Sequence, residues 1–366
     1  MFSLIEALSG RDEFGHVVSH IHKDAQFSFA LTCRAARKEV SGPFKTTCKS
    51  LLHSVALIEW SIGIGCVWES LCTEAAKVGN LEVIQWARTR GYSWHSYSCA
   101  AAAYGGHLDV LRYMHEHGCP WDAYSCSDAA LGGHLDVLWY LHKNGCRWYS
   151  NTCSHAALGG HLKVLRYAHE HGCPWDVFVC EYAAEKGNLE VLRYAHEHGC
   201  PWDNKTFKSA AEKGQLEALQ YAYEHGCPHD NSLCTNAARG GHLHVIKWAL
   251  QNGFQIDEYT YMWAALKGHI NVLQYFYENG YPLNTDENIC TAAARGGQLE
   301  TLVWLHERGC PWDTYTCTVA ALGGHLEVLR YLHEHGCPWN SNVCLFAAER
   351  GHHAVLQYAL ENGCPE

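Results

Sequence analysis

Apolar and polar positions along this chain keep a helical rhythm that restarts at a fixed interval. In the run GGHLDVLRYMHEHGCPWD, which begins at Gly105, Leu108, Leu111, Met114 and His115 fall on one side, and Asp109, Arg112 and Glu116 fall on the other. This predicts a short amphipathic helix. Gly118 supplies a left-handed residue that closes it, and Pro120 forbids its continuation. Asp122 is placed to cap a second short helix, on which Cys126, Ala129 and Ala130 recur at i, i+3 and i+4 as a narrow face of small residues. Gly132 and Gly133 then make the tight turn into the next copy.

The residue that precedes each longer apolar run sets the register: Asn80, His107, His134, His161, Asn188, Gln215, His242, His269, Gln298, His325 and His352. The interval is 27 residues throughout, except for 29 between His269 and Gln298. A worn earlier copy runs from Val55 to Cys66. A fixed period of this size marks a stacked array of supersecondary units. Helices this short are below the ~12–15 residues at which isolated helices become marginal, so their stability must come from burial between copies. The expected fold is all-α, an α-solenoid of stacked helical hairpins. Residues 46–366 form the array and residues 1–45 a separate helical segment.

The runs AALGGHLDVLWYLHKNG from Ala129 and AALGGHLEVLRYLHEHG from Ala320 resemble the AAxxGHLEVVKLLLxxG helix pair of ankyrin repeats. The resemblance covers about residues 50–366. The unit departs from the 33-residue ankyrin repeat in its length. It also lacks the TPLH tetrapeptide and the β-hairpin finger, which CPWDAYSC at Cys119 to Cys126 replaces. Short units marked by Cys and Trp resemble the ankyrin-like families expanded in giant DNA viruses and protists. The resemblance implies protein binding, and without fingers the helical face becomes the expected surface.

Charge narrows the partner class. With 27 basic and 38 acidic residues the net charge is −11, opposite to the footprint of a nucleic-acid binder. No apolar run reaches 18 residues, and Glu6, Asp12 and Glu13 stand where a signal peptide would be positive, so neither a membrane span nor secretion is expected. The expected location is the cytoplasm, the host's if the source is viral. No His-Glu-x-x-His, phosphate-cradling glycine loop or nucleophile elbow is present, so no enzymatic activity and no cofactor are expected.

The chain holds 20 cysteines and 27 histidines. One cysteine register lies on the first helix of each copy (Cys72, Cys99, Cys126, Cys153, Cys180, Cys234, Cys290, Cys317, Cys344), and another follows the closing glycine (Cys119, Cys146, Cys173, Cys200, Cys227, Cys310, Cys337, Cys364). Phe207 and Tyr261 replace the first without other disturbance, and C-x6-C is not a zinc spacing. Equivalent cysteines of successive copies, roughly 10 Å apart by helix packing, exceed the ~7 Å reach of a disulfide. Buried structural thiols are therefore expected, with a zinc- or redox-responsive repeat as the competing reading. Histidines before the closing glycine, such as His117, His171, His198 and His335, face the negative end of a helix dipole. Those that alternate with Asn188 and Gln215 are read as helix caps. Trp68, Trp94, Trp121, Trp148, Trp175, Trp202, Trp312 and Trp339 occupy the loops and are read as covers over the junctions.

What varies between copies points to binding. On the first helix, the residues one, two and five places after the cysteine are expected to face outward, and these differ from copy to copy. Candidate partner-binding residues on this face are Tyr182, Arg239, Tyr259, Met262, Trp263, Leu266 and Arg295. The Tyr259–Leu266 patch reads equally as a copy repacked around its irregular loop.

At the N-terminus, Phe14, Val17, Val18 and Ile21 share one helix face, and FSFALTCRAAR follows. The stretch DEFGHVVSHIHKDAQFSFALTCRAAR resembles the second half of an F-box without its Leu-Pro opening, a degenerate F-box. That resemblance implies docking on the Skp-type adaptor of a cullin-RING ubiquitin ligase through Phe14, Val17, Val18, Ile21, Phe29 and Leu31. The other reading of residues 1–45 is a cap over the first exposed repeat. The expected function is thus a substrate-recruiting adaptor, with a free-standing ankyrin-type scaffold as the alternative.

Overall fold

In the computed structural model, residues 44–45, 52–63, 66–281, 283 and 288–365 are described. The candidate adaptor residues Phe14 to Leu31 lie outside them. Every copy is a helical hairpin, and each boundary follows from a local signal. Ala123–Gly132 opens where the Asp122 carboxylate accepts from the Tyr124 N–H at 3.0 Å. It closes at Gly133, whose φ of 80° lets the His134 N–H reach the Ala129 carbonyl at 2.9 Å. Leu108–Glu116 ends in the same way, with Gly118 at φ 82° and the Cys119 N–H on the Met114 carbonyl at 2.8 Å. The copies are joined by loops. Among the described residues the only strand pairing is parallel, between Phe44–Lys45 and Cys66–Val67.

The chain divides into two compact units, Met1–Trp175 and Asp176–Glu366. The first holds the helix Val55–Gly63, which is the worn copy, and four hairpins whose first helices are Leu71–Val78, Ser96–Gly105, Ala123–Gly132 and Ser150–Gly159. The second holds seven hairpins, from Val177–Lys186 with Leu189–Glu197 to Asn342–Glu349 with His353–Glu361. Within each unit the first helices lie side by side and touch more extensively than the second helices do. Small residues permit this. Cys126, Ala129 and Ala130 are completely buried, and nothing larger keeps the backbones apart. Each second helix adds a larger apolar triad such as Val110, Leu111 and Met114, every member contributing roughly 1.5–3 kcal/mol by leaving water.

Three recurring contacts hold the array, the second within a hairpin and the other two between a hairpin and its neighbour. The first corrects the reading of the register histidines as caps. His107, His134 and His161 make no cap to their own helix. Each instead donates Nε2–H to a carbonyl thirty residues earlier, those of Lys77, Tyr104 and Leu131, at 3.1–3.2 Å. The reason is the close approach that glycine allows: the ring lies over the preceding copy's left-handed glycine, where no Cβ intervenes. Asn80, with a shorter side chain, does cap, accepting from the Val83 N–H at 3.1 Å.

The second contact is made by the cysteine after the closing glycine. The thiols of Cys146 and Cys173 donate to the carbonyls of Asp122 and Tyr149 at 3.2 and 3.3 Å, and those of Cys227 and Cys337 do the same to Asp203 and Asp313. All seventeen register cysteines are free and buried, as the sequence pattern implies.

The third is an aromatic stack at each junction. Trp121 lies parallel to His115 with centroids 3.6 Å apart and meets Tyr140 of the next copy edge-on at 6.1 Å. Trp148, Trp202, Trp312 and Trp339 repeat the arrangement. In the first clear copy, Arg88 takes the histidine's place, with its guanidinium 4.2 Å from the Trp94 ring centroid. These tryptophans are thus junction covers. The histidines before the glycine use Nδ1–H on a carbonyl four residues back, His117 on Tyr113 at 2.7 Å and His335 on Tyr331 at 2.8 Å.

Candidate protein-binding face

The first helices decide which residues each hairpin offers to solvent, and the structure corrects the expected outward set. The residue directly after the cysteine position points at the neighbouring first helix. Ser127, Ser154, Thr291 and Thr318 are buried. The hydroxyls of Thr73, Thr235 and Thr291 lie 2.7–3.1 Å from those of Ser98, Thr260 and Thr316 in the next copy. Because cysteine and alanine bring the helices so close, a side chain 100° from the cysteine falls into the seam. Residues two places after the cysteine are half-buried or, like Ala292 and Val319, buried, and those five places after are half-buried or exposed.

One position with exposed aromatic rings lies outside that expected set, although its Tyr259 is one of the candidate residues. It lies two residues before the cysteine, and it carries Tyr97 (66% exposed), Tyr124, Phe178, Tyr259 and Tyr315. An aromatic ring recurring there at the 27-residue interval is legible in the sequence. In the first unit Leu71–Val78 carries Glu74 and Lys77, whereas Ser96–Gly105, Ala123–Gly132 and Ser150–Gly159 contain no Lys or Arg. Asp128 is half-buried there, and burial raises its carboxyl above the usual range against the opposing pull of His155.

The second unit carries charges of both signs, among them Lys186, Lys205 and Lys208. Toward its N-terminal end the face carries Glu181, Glu185 and Glu212, with Tyr182 stacked on Phe178 at 5.9 Å. Burial raises the Glu181 carboxyl and outweighs Lys205, and its Oε2 is buried without a hydrogen-bond partner. Further along, Arg239 pairs with Glu212 at 3.6 Å and lays its guanidinium 4.6 Å from the Trp263 ring. Tyr259 is 54% exposed, while Met262, Trp263 and Leu266 are half-buried beside it. Arg295 donates to the Tyr315 hydroxyl at 3.0 Å. Of the candidate residues, Arg239 and Trp263 are thus brought into contact. Arg295 pairs with Tyr315, and Tyr182 sits with Phe178 several hairpins away.

The face is built for contact. His155 Nδ1 lies 3.3 Å from the Ser127 carbonyl oxygen, so this ring nitrogen is engaged by backbone. Among the described residues no cluster of three or more His, Cys, Asp or Glu side chains is arranged to hold a metal ion. No helix among them is long and apolar enough to cross a membrane.

Residues 207–287 match the family model of ankyrin repeats in three copies, over the stretch that spans three consecutive hairpins. Among solved structures the chain is similar to the ankyrin repeat domain of human ASB11, at 17% sequence identity and a TM-score of 0.37, covering 44% of this chain and 85% of that one. No curated protein matches the chain.

Proposed function

We propose that this chain is a protein-binding repeat receptor. Its first-helix face holds a protein partner, and its N-terminal segment docks that partner to a Skp-type adaptor of a cullin-RING ubiquitin ligase. One observation carries the binding role: a framework repeated to the residue, in which glycine, cysteine, histidine and tryptophan are spent on holding neighbours together, presents a row of exposed side chains that changes from hairpin to hairpin. Exposed tyrosines and arginine–aromatic pairs such as Arg239 with Trp263 are the residue types that anchor interfaces. The adaptor role is supported by the F-box-like pattern of residues 12–37.

The test compares the full chain with a version that lacks residues 1–45, each used as bait in a eukaryotic lysate. Adaptor and cullin retained by the full chain alone support the receptor reading. If neither bait retains adaptor while both retain the same repeat-bound proteins, the ligase link falls and a free-standing scaffold remains. If neither bait retains any protein, and Arg239→Ala with Trp263→Ala changes nothing, the binding role falls as well.

A further inference from the structure

The first helices Ser96–Gly105, Ala123–Gly132 and Ser150–Gly159 lie side by side, and the single carboxylate they carry is that of Asp128. It is half-buried, and among the described residues it makes no hydrogen bond and no ion pair. The charged groups that face it are His155 of the next hairpin and Asp122 at the start of its own helix. His155 Nδ1 is already engaged by the Ser127 carbonyl oxygen at 3.3 Å, and the Asp122 carboxylate caps the helix. No Lys or Arg acts on Asp128. Burial raises its carboxyl, the direction expected of an acid withdrawn from water without a cation beside it.

Exposed tyrosines flank this carboxylate. Tyr124, one helical turn before Asp128, is 57% exposed, and Tyr104 of the preceding hairpin is 45% exposed. Equivalent positions elsewhere in the array show how such residues meet. Phe178 and Tyr182, which hold the places of Tyr124 and Asp128, stack at 5.9 Å. Arg239 and Trp263 hold the places of Tyr104 and Asp128, and there the guanidinium lies 4.6 Å from the ring centroid. Asp128 is therefore within reach of both tyrosine rings. In the second unit the set is complete, because the Arg239 guanidinium meets both the Trp263 ring and, at 3.6 Å, the Glu212 carboxylate. In the first unit the carboxylate and the rings are present and the guanidinium is missing.

We propose that Asp128, Tyr104 and Tyr124 form a site that receives an arginine side chain from a bound protein segment. The inference rests on the protein-binding role of the first-helix face and names the anchor that the partner must carry. Arginine suits the site in three ways. Its charge is fixed, its planar guanidinium packs on a tyrosine ring, and its hydration is weaker than that of an ammonium, so less is lost when it leaves water. A carboxylate already partly withdrawn from water attracts a cation more strongly than a fully hydrated one. Leu131 and Leu158, half-buried on the same face, suit apolar residues beside that arginine.

The test uses the full chain and labelled mixtures of short peptides, randomised except at one central position that is fixed as arginine, lysine, citrulline, glutamate or leucine. Binding is read by fluorescence anisotropy. The arginine mixture should bind best, by about tenfold over citrulline, which keeps the shape of arginine and lacks its charge. Asp128→Asn should abolish that preference, and Asp128→Lys should transfer it to glutamate. Tyr104→Leu with Tyr124→Leu, which leaves the carboxylate in place, should narrow the margin of arginine over lysine. Asp109→Asn, which removes a charge from an exposed position on the second helix of the preceding hairpin, should change nothing. Thermal unfolding of each variant checks that the fold is kept. The proposal is overturned if the arginine preference survives Asp128→Asn, if citrulline binds as well as arginine, or if no mixture binds. The binding role itself is judged by the lysate comparison, so proteins retained there while the peptide mixtures show no preference would remove the arginine site and leave that role standing.

Discussion

The imidazole of His161 lies over Gly133 of the preceding hairpin and donates Nε2–H to the Leu131 carbonyl at 3.1 Å. Glycine is required beneath it twice over. The backbone there has φ 80°, and a Cβ would stand 2.6 Å from the ring. The same pairing recurs between Gly241 and His269 and between Gly297 and His325, with glutamine in the histidine's place over Gly187 and Gly268.

Replacing His161 by Ala should cost about 1–3 kcal/mol, because the Leu131 carbonyl loses its donor in a half-closed site. His161→Gln should cost less than half as much, since Gln215 occupies the equivalent place over Gly187. Urea unfolding of the two variants, compared at equal m-value, checks the ordering.

Gly133→Ala adds a ring collision to the backbone cost, whereas Gly118→Ala, at φ 82° with nothing within 4 Å of the added Cβ, carries the backbone cost alone. The second substitution should destabilise by about 1 kcal/mol and the first by about 2 kcal/mol or more. Equal losses in thermal unfolding would refute the role given to the histidine ring.

The repeats should weaken in mild acid. His142, His196 and His306 have their imidazole pKa lowered, first by desolvation against tryptophan and then by His171, His225 and His335 respectively. The ring pairs are 5.5–5.9 Å apart. Above the ordinary value of 6.5 the imidazoles are neutral in both states, and stability is at its plateau. As the pH falls through 6.5 the unfolded chain takes up protons first, so stability declines until the folded pKa is passed. The urea midpoint should drop between pH 7 and pH 5, and Trp148→Ala, which exposes His142, should flatten part of that dependence.

Burial pushes the Cys234 thiol up to about 12 and leaves it completely enclosed. In the folded chain it should resist alkylation at pH 8 and become reactive only on unfolding, as mass spectrometry after pulse labelling would show. Cys234→Ser should cost about 1–3 kcal/mol by burying a hydroxyl, and Cys234→Ala less.

Much of this architecture was written in the chain. The 27-residue interval, the closing glycines, the Asp122-type caps and the alternation of small and large apolar faces are local or nearest-neighbour signals, and each was realised as a helix boundary or a buried stripe. Stacking could be inferred because hairpins this short cannot bury their own apolar faces. What a one-dimensional pattern does not contain is the distance between neighbouring helices. That distance turned the register histidines from caps into links and moved Ser127 and Thr291 into the seam. It also left Tyr97 and Tyr124 as the exposed ridge and joined the Cys290 thiol to the Cys310 carbonyl within a hairpin. Side chains thirty or twenty residues apart meet only once cysteine and alanine have let the backbones close, and so the contacts, unlike the helices, were decided by the tertiary structure alone.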